Sequence, residues 1–244
     1  MSVWLAIPSK RPPEEAEKCL KEWRERGYKI AVYIDGESPV PNCDYSVWDF
    51  KYPGYAIAVN RLCGHILDVD PQAEWIVAAG DDTLPDPNHS AEEIAEECRY
   101  QFEDFNGGNA RDETFGVMQP TGDRDFGDAQ GPYIDRVAGS PWIGREFARR
   151  MYGGNGPYWP DYTHMGVDEE IQAVAIKYGV FWQRPDLIHY HDHWGRPRKG
   201  EKMGMADRMP DFLAKANSPE EWKRYKAIYA ARKAAGFPGS EPIP

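Results

Sequence analysis

Nothing in this 244-residue sequence approaches the ~18 consecutive apolar residues that a membrane-spanning helix needs. The opening, Met1 to Pro8, has no charged flank followed by a long apolar run. A signal peptide is therefore not expected, and the sequence reads as cytoplasmic, with no membrane partner. Cysteine is scarce: Cys19, Cys43, Cys63 and Cys98 lie far apart, without paired metal-ligand spacing. Cys19, Cys63 and Cys98 fall in helix-like segments, which fits reduced thiols. Positive charge is short as well. Twenty-nine Lys and Arg face 40 Asp and Glu, a net charge of -11, which argues against a protein that coats nucleic acid non-specifically but leaves room for a local basic groove. Internal repeats and low-complexity stretches are absent. What is present is a hydrophobic content of 41%, enough for a core, and nine Trp with fourteen Tyr, which lean toward a flat polar ligand such as a sugar or a base.

The first half alternates strand and helix signals. Val3–Ile7 reads as a strand ending at Pro8. Pro12-Pro13 opens a helix to about Arg26, stopped by Gly27. Strands follow at Lys29–Ile34 and Tyr45–Phe50, a helix at Tyr55–Val69, and a strand at Trp75–Ala79. Ser90 with Glu93 makes a capping box for a helix to about Phe105. This alternation predicts an α/β fold with an open, mostly parallel central sheet, in which ligands sit beyond the carboxyl ends of the strands. Pro8–Lys10, Asp35 and Asp81-Asp82 all fall at those ends.

The middle, from Asn106 to Tyr162, is Gly-rich and aromatic, with strands expected at Thr114–Gln119 and Tyr133–Ala138 and a helix at Gly144–Tyr152 carrying Arg145, Arg149 and Arg150. A helix at Asp168–Tyr178 and a strand at Val180–Gln183 follow, then His189, His191 and His193 in alternation, which on a strand would project to one side. A basic segment, Arg196 to Lys202, precedes a helix from the capping box Ser218…Glu221 to about Ala235. Residues 1–205 read as one α/β domain and 206–244 as a C-terminal helical extension that packs across it or mediates assembly.

The most informative stretch is Glu74-Trp-Ile-Val-Ala-Ala-Gly-Asp81-Asp82-Thr-Leu-Pro-Asp86. A buried strand ends there in two adjacent carboxylates, which repel each other unless a cation lies between them. A hard divalent ion, Mn²⁺ or Mg²⁺, with a diphosphate substrate is the usual chemical answer.

Taken together, these residues resemble the GT-A nucleotide-sugar glycosyltransferases, in particular the inverting family-2 group, over roughly residues 3 to 195. Pro8-Ser9-Lys10-Arg11 is similar to that family's opening loop beneath the nucleotide. Ile34-Asp35-Gly36-Glu37-Ser38 is similar to its turn whose acid reads the uracil or ribose, with Ile34 in place of one acid. Asn60-Arg61 matches a pair facing the donor, and Gly80-Asp81-Asp82 stands at the Asp-x-Asp position, with Gly80 where an acid is common. Gly139 to Ile143 is similar to the segment before the acceptor-side helix, and Val167-Asp168-Glu169-Glu170-Ile171 with Gly179 to the family's Glu-Asp-x-x-Leu…Gly helix. Arg184-Pro185…His191 is similar to the segment ending in a metal-binding histidine.

The resemblance implies a metal-dependent sugar transfer from a nucleotide-sugar donor, with a UDP-sugar expected. Asp82 and His191 would hold the metal, with His189 or His193 as substitutes, and Asp81 would take donor hydroxyls. Asp168 would be the catalytic base, with Glu169 or Glu170 sharing the task because Val167 replaces the preceding acid. Arg196 and Lys199, in a basic loop, would clamp the diphosphate or remain solvated, and Trp159 would contact the acceptor while Trp142 fills the core. The acceptor stays open: a small molecule, a glycan, a protein or a hydroxymethylated DNA base, for which Arg145–Arg150 and Arg196–Lys202 would form a groove. A nucleotidyltransferase on a similar sheet and a non-catalytic nucleotide-sugar binding protein are the rival readings.

Overall fold

A computed structural model describes residues 1–36, 38–105, 113–123, 137, 139–194, 196 and 209–244. The expected α/β architecture with a mostly parallel central sheet is the one observed. The seven-stranded sheet runs in the order β3 (Tyr45–Asp49), β2 (Lys29–Asp35), β1 (Ser2–Ser9), β4 (Ala73–Ala78), β7 (Trp142–Gly144), β6 (Val117–Pro120), β8 (Phe181–Arg184). Only β7 runs against the rest. A second ribbon pairs β5 (Thr83–Leu84) with β9 (Tyr190–His191), antiparallel.

The central strands are apolar throughout because both of their faces are covered: Leu5, Ala6, Ile7, Ile30, Val32, Ile76 and Val77 are all fully buried. Helix α1 (Pro13–Glu25) starts on a proline, carries Glu14 and Glu15 in its first turn, and turns Ala16, Cys19, Leu20 and Trp23 inward at helical spacing. Helix α2 (Tyr55–Val69) is apolar on most of its surface and lies against β1 and β2. The Ser90–Glu93 capping box forms as expected at the head of α3 (Ala91–Phe105). At the amino edge of the sheet, Asp70 accepts from Ser2, Trp4 and Lys29, tying β1 and β2 to the end of α2. All four cysteines are free thiols, and no helix among the described residues is long and apolar enough to cross a membrane.

Differences from the expected boundaries are local. Strand β6 starts at Val117 and not at Thr114, because the Thr114 hydroxyl and carbonyl receive the first amides of α4 (Arg145–Arg150). The helix expected to Tyr152 ends at Arg150 and passes into a single 3-10 turn, in which Tyr152 takes φ +49°. The strand expected at Tyr133–Ala138 lies, save for Val137, outside the described residues. Helix α5 (Val167–Lys177) follows a left-handed Gly166, and a short α6 (Asp211–Ala214) precedes α7 (Pro219–Ala234).

Close packing makes a clear stability test. A Cβ at Gly144 would meet the Thr114 carbonyl oxygen at 1.9 Å, whereas one at Gly64, on the exposed side of α2, meets nothing within 4 Å. Gly144→Ala is expected to cost about 3 kcal/mol and to lower Tm by roughly 6–12 °C. Gly64→Ala should stabilise by about 1 kcal/mol. Calorimetric melting of both variants checks the pair.

Candidate active site at the carboxyl ends of the parallel strands

Strands β1, β2 and β4 end side by side, so Ser9, Asp35 and the Asp81-Asp82 pair arrive at one edge of the sheet. The Ser9 hydroxyl donates to Asp81 Oδ2 at 2.7 Å. Two residues on, the Arg11 guanidinium bridges the carboxylates, with Nε 2.7 Å from Asp81 Oδ1 and Nη2 3.3 Å from Asp82 Oδ2. Lys10 reaches Asp35 at 3.2 Å. Pro8 lies in the β1–β2 register just before this loop.

The histidine arrives from the other side through the β5–β9 ribbon. Thr83 pairs with His191, and the Asp192 amide donates to the Asp82 carbonyl at 2.7 Å. His191 Nε2 thereby lies 3.1 Å from Asp82 Oδ1. Asp86, fully buried, holds the ribbon together by accepting from the Asn88 and His89 amides, His89 Nδ1 and the Ile188 amide. Thr83 is fixed from below, its carbonyl accepting from the Trp23 indole at 2.6 Å and the Cys19 thiol at 2.9 Å.

Burial pushes Asp81 up, and Arg11 and Ser9 only partly offset it, so its carboxyl stays above the usual range. Burial acts on Asp82 in the same direction, but there the His191 ring, Arg11 and His193 prevail and hold it below that range. Two ligands adjacent on an octahedral ion at ~2.1 Å are about 3.0 Å apart. The Asp82–His191 spacing therefore suits one divalent cation. No group of three or more His, Cys, Asp or Glu side chains arranged to hold a metal occurs among the described residues. Small hard cations commonly take one or two protein ligands and complete their shell with phosphate oxygens and water, which this pair would allow.

On the far side of the edge, Asp168 stands at the start of α5, half-buried, its Oδ1 shut from solvent and without a hydrogen-bond partner among the described residues. Burial, with the Glu169 charge, pushes its carboxyl up to about 8. The buried Tyr55 hydroxyl donates weakly to the Ala79 carbonyl at 3.5 Å, and the Asp168 and Asp82 charges add to the burial that raises it.

Several sequence expectations are corrected. His189 is not on a strand facing the ion: it packs edge-on against Trp23, bonds Ser140 at 2.9 Å, and burial drives it down to about 3. It is a core residue, which leaves His191 with His193 beside it, ring centroids 5.1 Å apart. The Asn60 amide is buried and uses both ends on the Tyr158 backbone, so it brackets the 155–162 loop and does not face a ligand. Arg61 bonds the Tyr33 hydroxyl and Asp49 at the β2–β3 edge. Arg196, expected in a basic loop, is buried, donates to the His191 carbonyl at 2.7 Å, and pairs with Asp123. Lys199, with Arg198 and Lys202, lies outside the described residues, as does Glu37. Glu170 is buried in a structural ion pair with Arg232, leaving Glu169 as the other acid beside Asp168. The Trp159 ring is covered on one face by Arg232 at 3.7 Å, whereas Trp142 fills the core as expected. Arg145, expected on a basic groove, turns inward to the carbonyls of Leu67, Asp70 and Ala73, where it caps the end of α2. Arg149 and Arg150 are tied to Glu146 and the Ile243 carbonyl.

No protein-family model matches the sequence, and no curated protein matches it. Solved structures with a similar chain path include the catalytic domain of Drosophila beta1,4galactosyltransferase 7 in complex with xylobiose, at TM-score 0.45 and 15% identity over 85% of this chain and 78% of that one. A197 from STIV gives 0.48 and 12% over 79% and 86%. A Bacillus anthracis protein assigned as a glucose-1-phosphate thymidylyltransferase gives 0.43 and 9% over 93% and 94%. The likeness is one of chain path. All three TM-scores fall below 0.5, so what the site can do rests on its own geometry.

Sequence reading named Arg11 with the opening loop but gave it no role on the paired acids, although its place after a buried strand was a signal. If Arg11 is the resident cation of the paired acids, Arg11→Ala is expected to lose about 2 kcal/mol, lowering Tm by roughly 4–8 °C. Added Mn²⁺ should then raise the Tm of the variant more than that of the parent. Equal shifts in both proteins would contradict this role.

Proposed function

We propose that the protein is a metal-dependent glycosyltransferase of the GT-A type, which moves a sugar from a nucleotide-sugar donor, a UDP-sugar, to an acceptor hydroxyl with inversion. The observation that carries this reading is the Asp82 carboxylate held between Arg11 and His191 at the ends of the parallel strands.

In this reading Asp82 and His191 hold Mn²⁺ or Mg²⁺, and the ion would neutralise charge growing on the departing diphosphate. Arg11, which bridges Asp81 and Asp82, would add positive charge there. Asp81, fixed by Ser9 and Arg11, is placed to accept from donor hydroxyls, and the Lys10–Asp35 pair borders the position for the nucleoside. Asp168 removes the acceptor's proton as its oxygen attacks the anomeric carbon, and a single displacement of that kind inverts the centre. A carboxyl raised by burial is a stronger base once ionised. The inward turn of Arg145 removes one support for a modified DNA base as acceptor, so a sugar or small-molecule hydroxyl is favoured. Residues 1–205 carry all of these groups.

Two measurements test the reading. Purified protein with Mn²⁺ and a panel of nucleotide sugars is expected to release nucleoside diphosphate slowly from one donor, and Asp82→Ala to abolish the release. Pyrophosphate as the product would identify a nucleotidyltransferase instead, and donor binding without turnover, unchanged in Asp168→Asn, a binding protein. The second follows from the Asp168 carboxyl, which ionises near 4 in an unfolded chain and at about 8 in the folded one. Folding stability from this group is complete below the lower value and declines as pH rises to the upper one. Asp168→Asn should therefore flatten the stability–pH curve across that window. In the parent, kcat/KM should climb through about pH 8, and the Asn variant should lose 10²-fold or more.

A further inference from the structure

The start of α5 is fastened from the side opposite the candidate cleft, by a helix from the far end of the chain. Glu170 is 1% exposed. It accepts from the Tyr152 hydroxyl at 2.8 Å, the Tyr162 hydroxyl at 2.9 Å, and Arg232 through Nε at 2.7 Å and Nη2 at 2.6 Å. The same guanidinium lies flat over Trp159 and donates to the Pro238 carbonyl at 3.2 Å. Helix α7 grips the loop entering α5 at further points. Glu221 accepts from the Thr163 hydroxyl at 2.8 Å, and Arg224 donates to the Asp161 carbonyl at 2.9 Å. A Cβ at Gly166 would meet the Tyr225 ring at 3.1 Å, so α7 is packed hard against the turn that starts α5.

Asp168 and Glu170 are two residues apart, about 200° around a helix axis. Drawing Glu170 toward α7 therefore turns Asp168 the other way, toward Tyr55 on α2 and Tyr158 on the loop, both of which feel its charge, with Glu169 as its neighbour on the same helix. A buried carboxylate that holds a forked guanidinium and two phenols cannot swing without leaving those groups unpaired. The rotation of the first turn of α5 is thus fixed by contacts outside the cleft.

We propose that Arg232 is a positioning residue for the acid at position 168: by locking Glu170 it sets the rotation of α5 and the 155–166 loop, and so aims Asp168 into the cleft. This deepens the reading above and rests on Asp168 being the base. It makes the C-terminal segment part of the working site.

The test compares the parent with Arg232→Lys, which keeps the charge and loses the fork, and with the pair Glu170→Met and Arg232→Met, which replaces the buried ion pair by apolar groups. Each is measured for Mn²⁺-dependent binding of UDP by calorimetry, for the pH dependence of donor turnover, and for Tm. Both variants are expected to bind UDP within about twofold of the parent, since Asp82, Arg11 and His191 stand on other elements. Turnover should fall tenfold or more, and the limb near pH 8 should move to lower pH as Asp168 gains water. Turnover and pH profile unchanged in Arg232→Lys, well below its Tm, would overturn the proposal and leave Arg232 a purely structural group. Should the double variant fail to fold, Arg232→Lys alone decides. A parent that neither binds UDP nor consumes any nucleotide sugar overturns the reading of the site, and the proposal with it, a pattern distinct from the first.

Discussion

Two carboxylates on consecutive residues at the mouth of a buried strand repel each other, and the rest of the site follows from how the chain tolerates them. Asp81 faces the Ser9 hydroxyl and the Arg11 Nε; Asp82 faces the other arm of the same guanidinium and the His191 ring. Strand β1 must run beside β4 for Arg11 to reach, and β9 must pair with β5 for His191 to reach. A cation on one side and an imidazole on the other offset the repulsion between the two acids.

The parts of this arrangement visible in the sequence are those with a local cause. The alternation of short apolar runs with Gly- and Pro-bounded helices specified a parallel sheet, and Asp35 and Asp81-Asp82 at strand ends specified the edge where the polar groups gather. The Ser90–Glu93 box marked the head of α3. The misjudged residues depend on long-range packing. His189 differs from His191 only in sitting two residues earlier, yet one faces Trp23 in the core and the other an acid, because β9 is just two residues long and strand alternation does not extend back to position 189. Asn60 and Arg145 look like exposed polar groups on helices, and each is instead drawn inward by backbone groups 98 and 72 to 78 residues away. No window of sequence contains both halves of such a contact.

The buried ion pair between Glu170 and Arg232 illustrates the same point from the other end. A carboxylate in the first turn of a helix ordinarily reads as a partner for the helix dipole. Here one of three consecutive acids is taken into the interior by a guanidinium 62 positions later, while its neighbour two residues back is half-buried, with an Oδ1 that has no hydrogen-bond partner among the described residues. Two similar residues thus acquire two environments from a single rotation of the helix.

The β5–β9 ribbon gives the gap between Asp82 and His191 a mechanical character. Both residues hang from the same two-rung ladder, which Asp86 ties at its far end. The ladder's register sets which residues face each other across the gap. The ribbon behaves as a calliper whose jaws are a carboxylate and an imidazole and whose hinge is a buried aspartate more than a hundred residues from one of its partners. Strain applied at the hinge, far from any ligand, would be read out at the jaws.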